Sequence, residues 1–281
     1  MRRPPKVLRQ EWQESELRAV AVDQTSAAHP AATAIVGSLA QSVGIPFYGS
    51  RLAVMPDDPA LGEFRQAFGG TVGTFDEYLG PGTRGITEVI STFDLWKKWK
   101  EDGLTSRVDA RAFLKARLFD LVVGNWDRHQ AQWRWARFGS EPIWVPLPED
   151  ADQAFTRYEG KAMGAVRRVV PRFMRYSGEY PKRMEGLTTN NYDVTRWLLT
   201  RLEWPVFEEV ARELAGQMTD AVVDEAMRQM PPEWYAVDGE QMTKDLRQRR
   251  DGIVAYAREF YEHLASPVDV RGTAAGMLAT P

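Results

Sequence analysis

An apolar stripe at helical spacing, made by Phe113, Leu114, Leu118, Leu121 and Val122, runs through 110–123 and stops at Gly124. Little polar interrupts its end, so the spacing predicts a buried helix that Gly124 closes in a left-handed cap. Ser106 or Asp109 is the expected N-cap. Beyond the glycine the chain turns polar, as Asn125-Trp126-Asp127-Arg128-His129. A loop released from a buried helix is held by the core, which is where ligating and catalytic groups are usually carried.

The next stretch constrains the chain further. Residues 132–138 alternate in part as a strand does, 139–142 reads as a turn, and 143–147 is a second strand stopped by Pro148. The hairpin leads into a second acidic loop, Glu149-Asp150-Ala151-Asp152-Gln153-Ala154-Phe155. A two-stranded hairpin returns its ends to one place, so Asp127 and Asp150, about two dozen residues apart, are expected to face one site.

Elsewhere the pattern is mostly helical. Helices are expected over 31–42, 87–99, 194–202, 205–214, 219–230 and 239–264, with a strand over 47–55 and one or two helical turns over 61–68. Asn190-Asn191-Tyr192-Asp193 reads as a cap ahead of the 194–202 helix. The glycine-rich stretch 69–74 is expected to be a bend. It lacks the Gly-Lys-Ser/Thr of a phosphate loop, and no GxGxxG stands between strand and helix. The whole reads as an α+β, mostly helical fold. Its expected divisions are an N-terminal stretch over 1–22 that is a tail or a short helix over 11–22, a region over 23–85, a helical region over 86–266 and a flexible tail over 267–281.

Composition narrows the chemistry. With 36 Lys and Arg against 39 Asp and Glu, the net charge of −3 argues against broad nucleic-acid binding. The absence of cysteine excludes disulfides, thiolate zinc sites and cysteine nucleophiles. No run approaches the roughly 18 apolar residues of a membrane span, and the basic N-terminus lacks a signal-peptide core. The cytoplasm is the default compartment, and the cell envelope the alternative for a segment of a larger exported protein.

Two carboxylate loops suit phosphoryl transfer, which asks for one carboxylate to orient or deprotonate a hydroxyl and other oxygen ligands to hold a divalent cation on phosphates. Asp127 is the candidate for the first task, Asp150 or Asp152 for the second. Gln132, five residues after Asp127, is a candidate ligand through its amide oxygen. Bland readings exist for each. Asp127 could pair with Arg128 or a hairpin arginine, Asn125 and His129 could shape the loop, and Trp126, Trp133 and Trp135 could be packing. Arg167, Arg168, Arg172 and Arg175 could bind an anion or form a solvated face.

The phrases Gly124-Asn125-Trp126-Asp127-Arg128-His129 and Asp150-Ala151-Asp152-Gln153-Ala154-Phe155 resemble the paired signatures of atypical kinases: the CotH, secretory-pathway and HipA types and, more distantly, type II phosphatidylinositol 4-kinases. Together with Asp23-Gln24-Thr25-Ser26-Ala27-Ala28-His29-Pro30 and Val54-Met55-Pro56-Asp57-Asp58-Pro59, they look most like a kinase-like segment of bacterial envelope proteins. Those proteins also carry a calcineurin-like phosphoesterase domain and an outer-membrane barrel. The resemblance implies a protein-kinase-like large lobe over 86–266, a short β-hairpin, and an incomplete small lobe with hinge over 23–85. It implies Asp127 as catalytic residue and Asp150 or Asp152 as the metal-binding residue; Gln132 is a further candidate metal ligand, and Gln132 and Asn125 are the candidate cofactor-binding residues. ATP with magnesium or manganese is the implied cofactor set, and an unidentified hydroxyl compound the acceptor.

No glycine-rich strand loop and no strand lysine precede these motifs, and His29 stands near where a paired glutamate is expected. The small lobe is therefore truncated, supplied by a partner, or lost in a catalytically inactive scaffold. A metal-dependent phosphoester hydrolase using the same carboxylates is the weaker alternative.

Overall fold

The computed structural model describes residues 27–102, 107–159 and 170–266. The expected N-terminal tail and 11–22 helix, Ser106, Arg167, Arg168 and the tail over 267–281 lie outside the described residues.

The fold is mixed α+β and mostly helical. Helix α1 (Ala32–Ser42) is followed by a hairpin of β1 (Ser50–Val54) and β2 (Val72–Asp76). Then come β3 (Ile86–Ser91), α2 (Thr92–Asp102), the two-residue β4 (Arg107–Val108) and α3 (Ala110–Val123). Strands β5 (Trp133–Phe138) and β6 (Ile143–Pro148) make the expected hairpin. Irregular chain follows β6 through the described residues up to 184, and the main helices of the C-terminal part are α4 (Tyr192–Leu199), α5 (Trp204–Gln217), α6 (Asp220–Met227) and α7 (Glu240–Ala265).

Two sequence expectations fail, both through strand pairing. The second half of the glycine-rich 69–74 stretch is strand: Val72–Asp76 pairs antiparallel with β1, Val54 opposite Val72 and Ser50 opposite Asp76. Its turn element survives at Gly70, whose φ of 70° is the left-handed conformation glycine accepts without strain. The helix expected over 87–99 begins only at Thr92, because Ile86–Ser91 pairs antiparallel with β5. The β-branched residues Ile86, Thr87, Val89 and Ile90 suit a strand, and helical spacing alone hid them. The resulting sheet runs β3-β5-β6-β4, with β4 parallel to β6.

Helix α3 forms the centre of the core. The Asp109 carboxylate accepts from Ala112 N at 2.8 Å, capping its start. From Ala116 onward every α3 residue is buried, and Phe113 packs on Trp133 with ring centroids 4.8 Å apart. Trp133, Trp135 and Trp144 are fully buried, so the first two pack the core. The Trp135 indole donates to Thr92 Oγ1 at 3.1 Å, which ties the start of α2 to the hairpin.

The last four carbonyls of a helix have no partner within it, and here each is met from elsewhere. Asp120 O accepts from Gly124 N and, at 2.9 Å, from Asn125 N. Leu121 O accepts from Arg249 Nη1 at 3.1 Å, Val122 O from the Tyr176 hydroxyl at 3.2 Å, and Val123 O from Phe155 N at 3.0 Å. The left-handed Gly124, at φ 69°, then turns the chain into the Asn125–His129 loop. The helix end is thus fixed by α7, by the segment around Tyr176 and by the second acidic loop.

Candidate active site

The two acidic loops meet because the hairpin closes at its base. Glu149 N donates to Gln132 O at 2.8 Å, and Trp133 stands opposite Pro148. Arg128 reinforces the junction. Its side chain is 2% exposed, donates to both Asp120 carboxylate oxygens at 3.1–3.2 Å, and reaches Glu149 O. Asp120 also holds Arg117 at 2.7 Å. This buried Arg-Asp-Arg group locks the first loop to the second.

That pairing frees Asp127. Arg128 turns inward to Asp120, and Asp127 forms no ion pair with any described residue. Instead Asn190 Nδ2 donates to Asp127 Oδ1 at 2.9 Å, across 63 positions of sequence. Burial raises the Asp127 carboxyl above its ordinary range. The Asp150 charge acts in the same direction, while His129, Arg172 and the Asn190 hydrogen bond oppose it.

Asp150 occupies the left-handed region at φ 57°, a conformation unusual for a side chain with a Cβ and one that clusters at functional sites. Its Oδ1 accepts from Asp152 N at 3.0 Å, which stabilises the turn, and its Oδ2 lies 3.3 Å from Gln132 Nε2. Gln132 Oε1 is buried without a hydrogen-bond partner among the described residues. Asp152 is half-buried, and burial followed by the Asp150 charge pushes its carboxyl up to about 6, with Asp127 adding in the same direction. Asp127, Asp150 and Asp152 therefore share one field, and Gln132 sits at its edge.

Asn125 is buried, and its amide donates to Asp150 O at 3.4 Å, supporting the acidic loop from within. His129 Nδ1 accepts from Ala131 N at 3.2 Å and shapes its own loop. Glu149 pairs with Arg134 at 3.2 Å near the surface.

Sequence reasoning missed Asn190, reading it as part of a helix cap. Asn191 is the residue at that cap position, and its side chain makes no capping bond, while the Asn190 amide turns to Asp127 instead. It missed Tyr48 and Tyr158 as well. Burial raises the Tyr48 phenol, with Asp76 and Asp150 adding to the effect, and lifts Tyr158 to about 12, with Asp127 and Asp152 adding there. Nothing in local sequence marks these residues, since their roles come from elements that approach only on folding.

No protein-family model matches this chain. No curated protein matches it either. Among solved structures, the Helicobacter pylori proinflammatory kinase CtkA aligns at a TM-score of 0.49 and 11% identity, over 82% of this chain and 81% of that one. A chain of the Shewanella oneidensis MR-1 toxin–antitoxin complex of HipA, HipB and operator DNA aligns at 0.43 and 12% identity. That alignment covers 85% of this chain and 58% of the other. These are distant likenesses, and the chemistry has to come from the site itself.

The site can offer a hydroxyl-orienting carboxylate and, apart from it, oxygen donors for a hard cation. Among the described residues no group of three or more His, Asp or Glu side chains is arranged to hold a metal ion. A smaller donor set suits magnesium, which keeps several waters and is commonly bound by one or two carboxylates together with substrate phosphates. Asp150 and the unpartnered Gln132 Oε1 fit that description, with Asp152 beside them.

Proposed function

We propose that this chain is a kinase-like phosphotransferase domain in which Asp127 orients, and takes the proton from, the acceptor hydroxyl. The observation that carries this reading is the convergence, at the base of one hairpin, of Asp127, which has no ion pair among the described residues, with Asp150, Asp152 and the buried Gln132 amide oxygen, which has no hydrogen-bond partner among them. Asp150 and Gln132 would hold magnesium or manganese on the phosphates of ATP, with Asp152 completing the negative wall. When bound, the cation neutralises charge on the phosphates and fixes their position.

The chain's own groups do the rest. Asn190 fixes one Asp127 oxygen, leaving the other to accept from the substrate hydroxyl. The raised proton affinity of a half-buried Asp127 improves it as a base near neutral pH. Asn125 holds the acidic loop in its left-handed turn, so its part is support of the metal loop. By resemblance, the domain would belong with the kinase-like segments of bacterial envelope proteins, with 23–85 as a partial small lobe and hinge and 86–266 as the large lobe.

Radiolabelled ATP with magnesium, tested for binding and for transfer to the chain itself or to hydroxyl compounds, is the deciding experiment. Metal-dependent binding lost in Asp150→Ala, with transfer lost in Asp127→Ala, is the expected result. Absence of both in the wild-type chain overturns the reading.

A second reading is a catalytically inactive scaffold, and one observation favours it. Among the described residues, seven of the ten exposed large hydrophobic side chains fall between Val54 and Tyr78, on or beside the β1–β2 hairpin. Phe64, Phe68 and Phe75 are each at least half exposed, a concentration that marks contact surfaces. A chain that ignores ATP yet captures a defined partner through this hairpin would establish the scaffold.

A further inference from the structure

Arg172 stands beside the candidate site with no carboxylate among the described residues paired to its charge. Its guanidinium lies over the Phe173 ring at 5.5 Å from the centroid and over the Trp126 ring at 5.9 Å. Trp126 immediately precedes Asp127, and Trp126, Tyr158 and Phe173 form an edge-to-face cluster with centroids 5.1–6.4 Å apart. Among the described residues, Arg172 forms no ion pair and its side chain no hydrogen bond. Arg175, three residues on, contrasts with it by pairing with Glu159 at 2.9 Å.

The contrast has a physical consequence. An arginine paired with a carboxylate has its charge already met, whereas one resting on aromatic rings keeps its charge and its N–H fork available for a planar anion. The rings also limit its rotamers, so less entropy is lost when an anion binds. The surroundings make this cation conspicuous. Asp127, Asp150 and Asp152 form a negative wall that would repel an acidic acceptor unless a cation meets its charge. The Arg172 charge is felt at Asp127, where it opposes the effect of burial.

We propose that Arg172 is an anion-recognition residue at the mouth of the site, and that the acceptor carries a carboxylate or phosphate close to its reacting hydroxyl. This rests on the phosphotransferase reading for the word acceptor, but anion binding at Arg172 does not require transfer. The chemistry is shared by a serine flanked by acidic residues and by a phosphorylated sugar alcohol. One or both is the source, and the two arms of the test tell them apart.

Four probes are titrated calorimetrically into the full chain: a serine peptide flanked by glutamates, its glutamine counterpart, glycerol 3-phosphate and glycerol. At least one acidic probe is expected to bind about tenfold or more tightly than its neutral counterpart, the scale of one charge-assisted contact. Arg172→Ala should abolish that difference and Arg172→Lys should keep part of it, with thermal midpoints unchanged because the side chain is exposed. Equal binding of acidic and neutral probes, binding of neither, or a preference that survives Arg172→Ala overturns the inference. Acidic binding at Arg172 without transfer from ATP would sink the phosphotransferase reading and leave the anion site standing. Transfer to acidic and neutral probes alike would sink the anion site and leave that reading.

Discussion

Asn190 Nδ2 donates to Asp127 Oδ1 at 2.9 Å, joining the turn ahead of α4 to the loop that ends α3. Asp127 has no ion pair among the described residues, so this bond is what sets the direction of its carboxylate. On the proposed reading, Asn190→Ala should lower the turnover of phosphoryl transfer by roughly ten- to a hundredfold, the scale of one lost charge-assisted hydrogen bond. KM for ATP should change little, since Asn190 does not touch the Gln132–Asp150 side. Asn190→Asp, which adds a like charge, should shift the pH profile upward. A variant that alters only thermal stability would reduce Asn190 to a structural role.

Asp127 and Asp150 should separate cleanly in kinetics. Asp127→Asn is expected to cut transfer by about 10²–10⁴-fold, the usual worth of a positioned general base, while metal-dependent ATP binding persists. Asp150→Asn should instead weaken that binding. Equilibrium binding beside single-turnover transfer would expose the split, and an identical loss in both assays for both variants would contradict it.

Asp152 gives a pH signature without any substrate. Its carboxyl rises from the ordinary 3.8 to about 6 through burial and then the Asp150 charge. Between those values the folded chain keeps a proton that the unfolded chain has lost. Metal-free stability therefore falls as pH rises through that window, by on the order of 1 kcal/mol once solvent screening of a half-buried group is allowed for. Asp152→Asn should flatten that slope, leaving only the part that the raised Asp127 carboxyl contributes, as urea denaturation in chelator at about pH 4 and about pH 7 would reveal. A slope as steep in the variant as in the wild-type chain places its origin elsewhere. If Asp152 also lies against the cation, magnesium affinity should drop below about pH 6, where proton and metal compete.

The buried Arg117-Asp120-Arg128 group holds the two loops together, so its loss should be felt as stability before it is felt as chemistry. Asp120→Ala leaves two buried guanidinium groups without their carboxylate and should cost about 3–5 kcal/mol. A chemical-denaturation midpoint within error of wild type would show that the group is dispensable.

Gly124 offers a second stability test. At φ 69° an added Cβ would stand 2.8 Å from Tyr176 Cδ2, so Gly124→Ala meets both backbone strain and a ring that already bonds Val122 O. A loss of about 1–3 kcal/mol is expected. Tyr176→Phe should cost less, because it removes one hydrogen bond and no volume. The reverse order would mean that the ring yields and the hydroxyl matters more.

Local sequence carried much of this fold. The apolar stripe of α3 and its Gly124 stop were legible, and its cap was narrowed to Ser106 or Asp109, because helical spacing and capping chemistry are short-range. The hairpin after it was legible for the same reason, and with it the expectation that Asp127 and Asp150 approach each other. The strands β2 and β3 were not legible, because each is defined by its partner: Val72–Asp76 by β1 and Ile86–Ser91 by β5.

The site divides along the same line. Sequence by itself determined which carboxylates are available and that a hairpin links them. Tertiary structure alone decided that Arg128 turns to Asp120 and leaves Asp127 unpaired among the described residues, that Asn190 holds it, that Gln132 meets Asp150, and that Arg172 rests on Trp126. Spacing along one chain fixes only neighbours within a helix turn or a strand pair. Partners such as Asn190, 63 positions away, are chosen by how helices and loops pack once α3 has been buried.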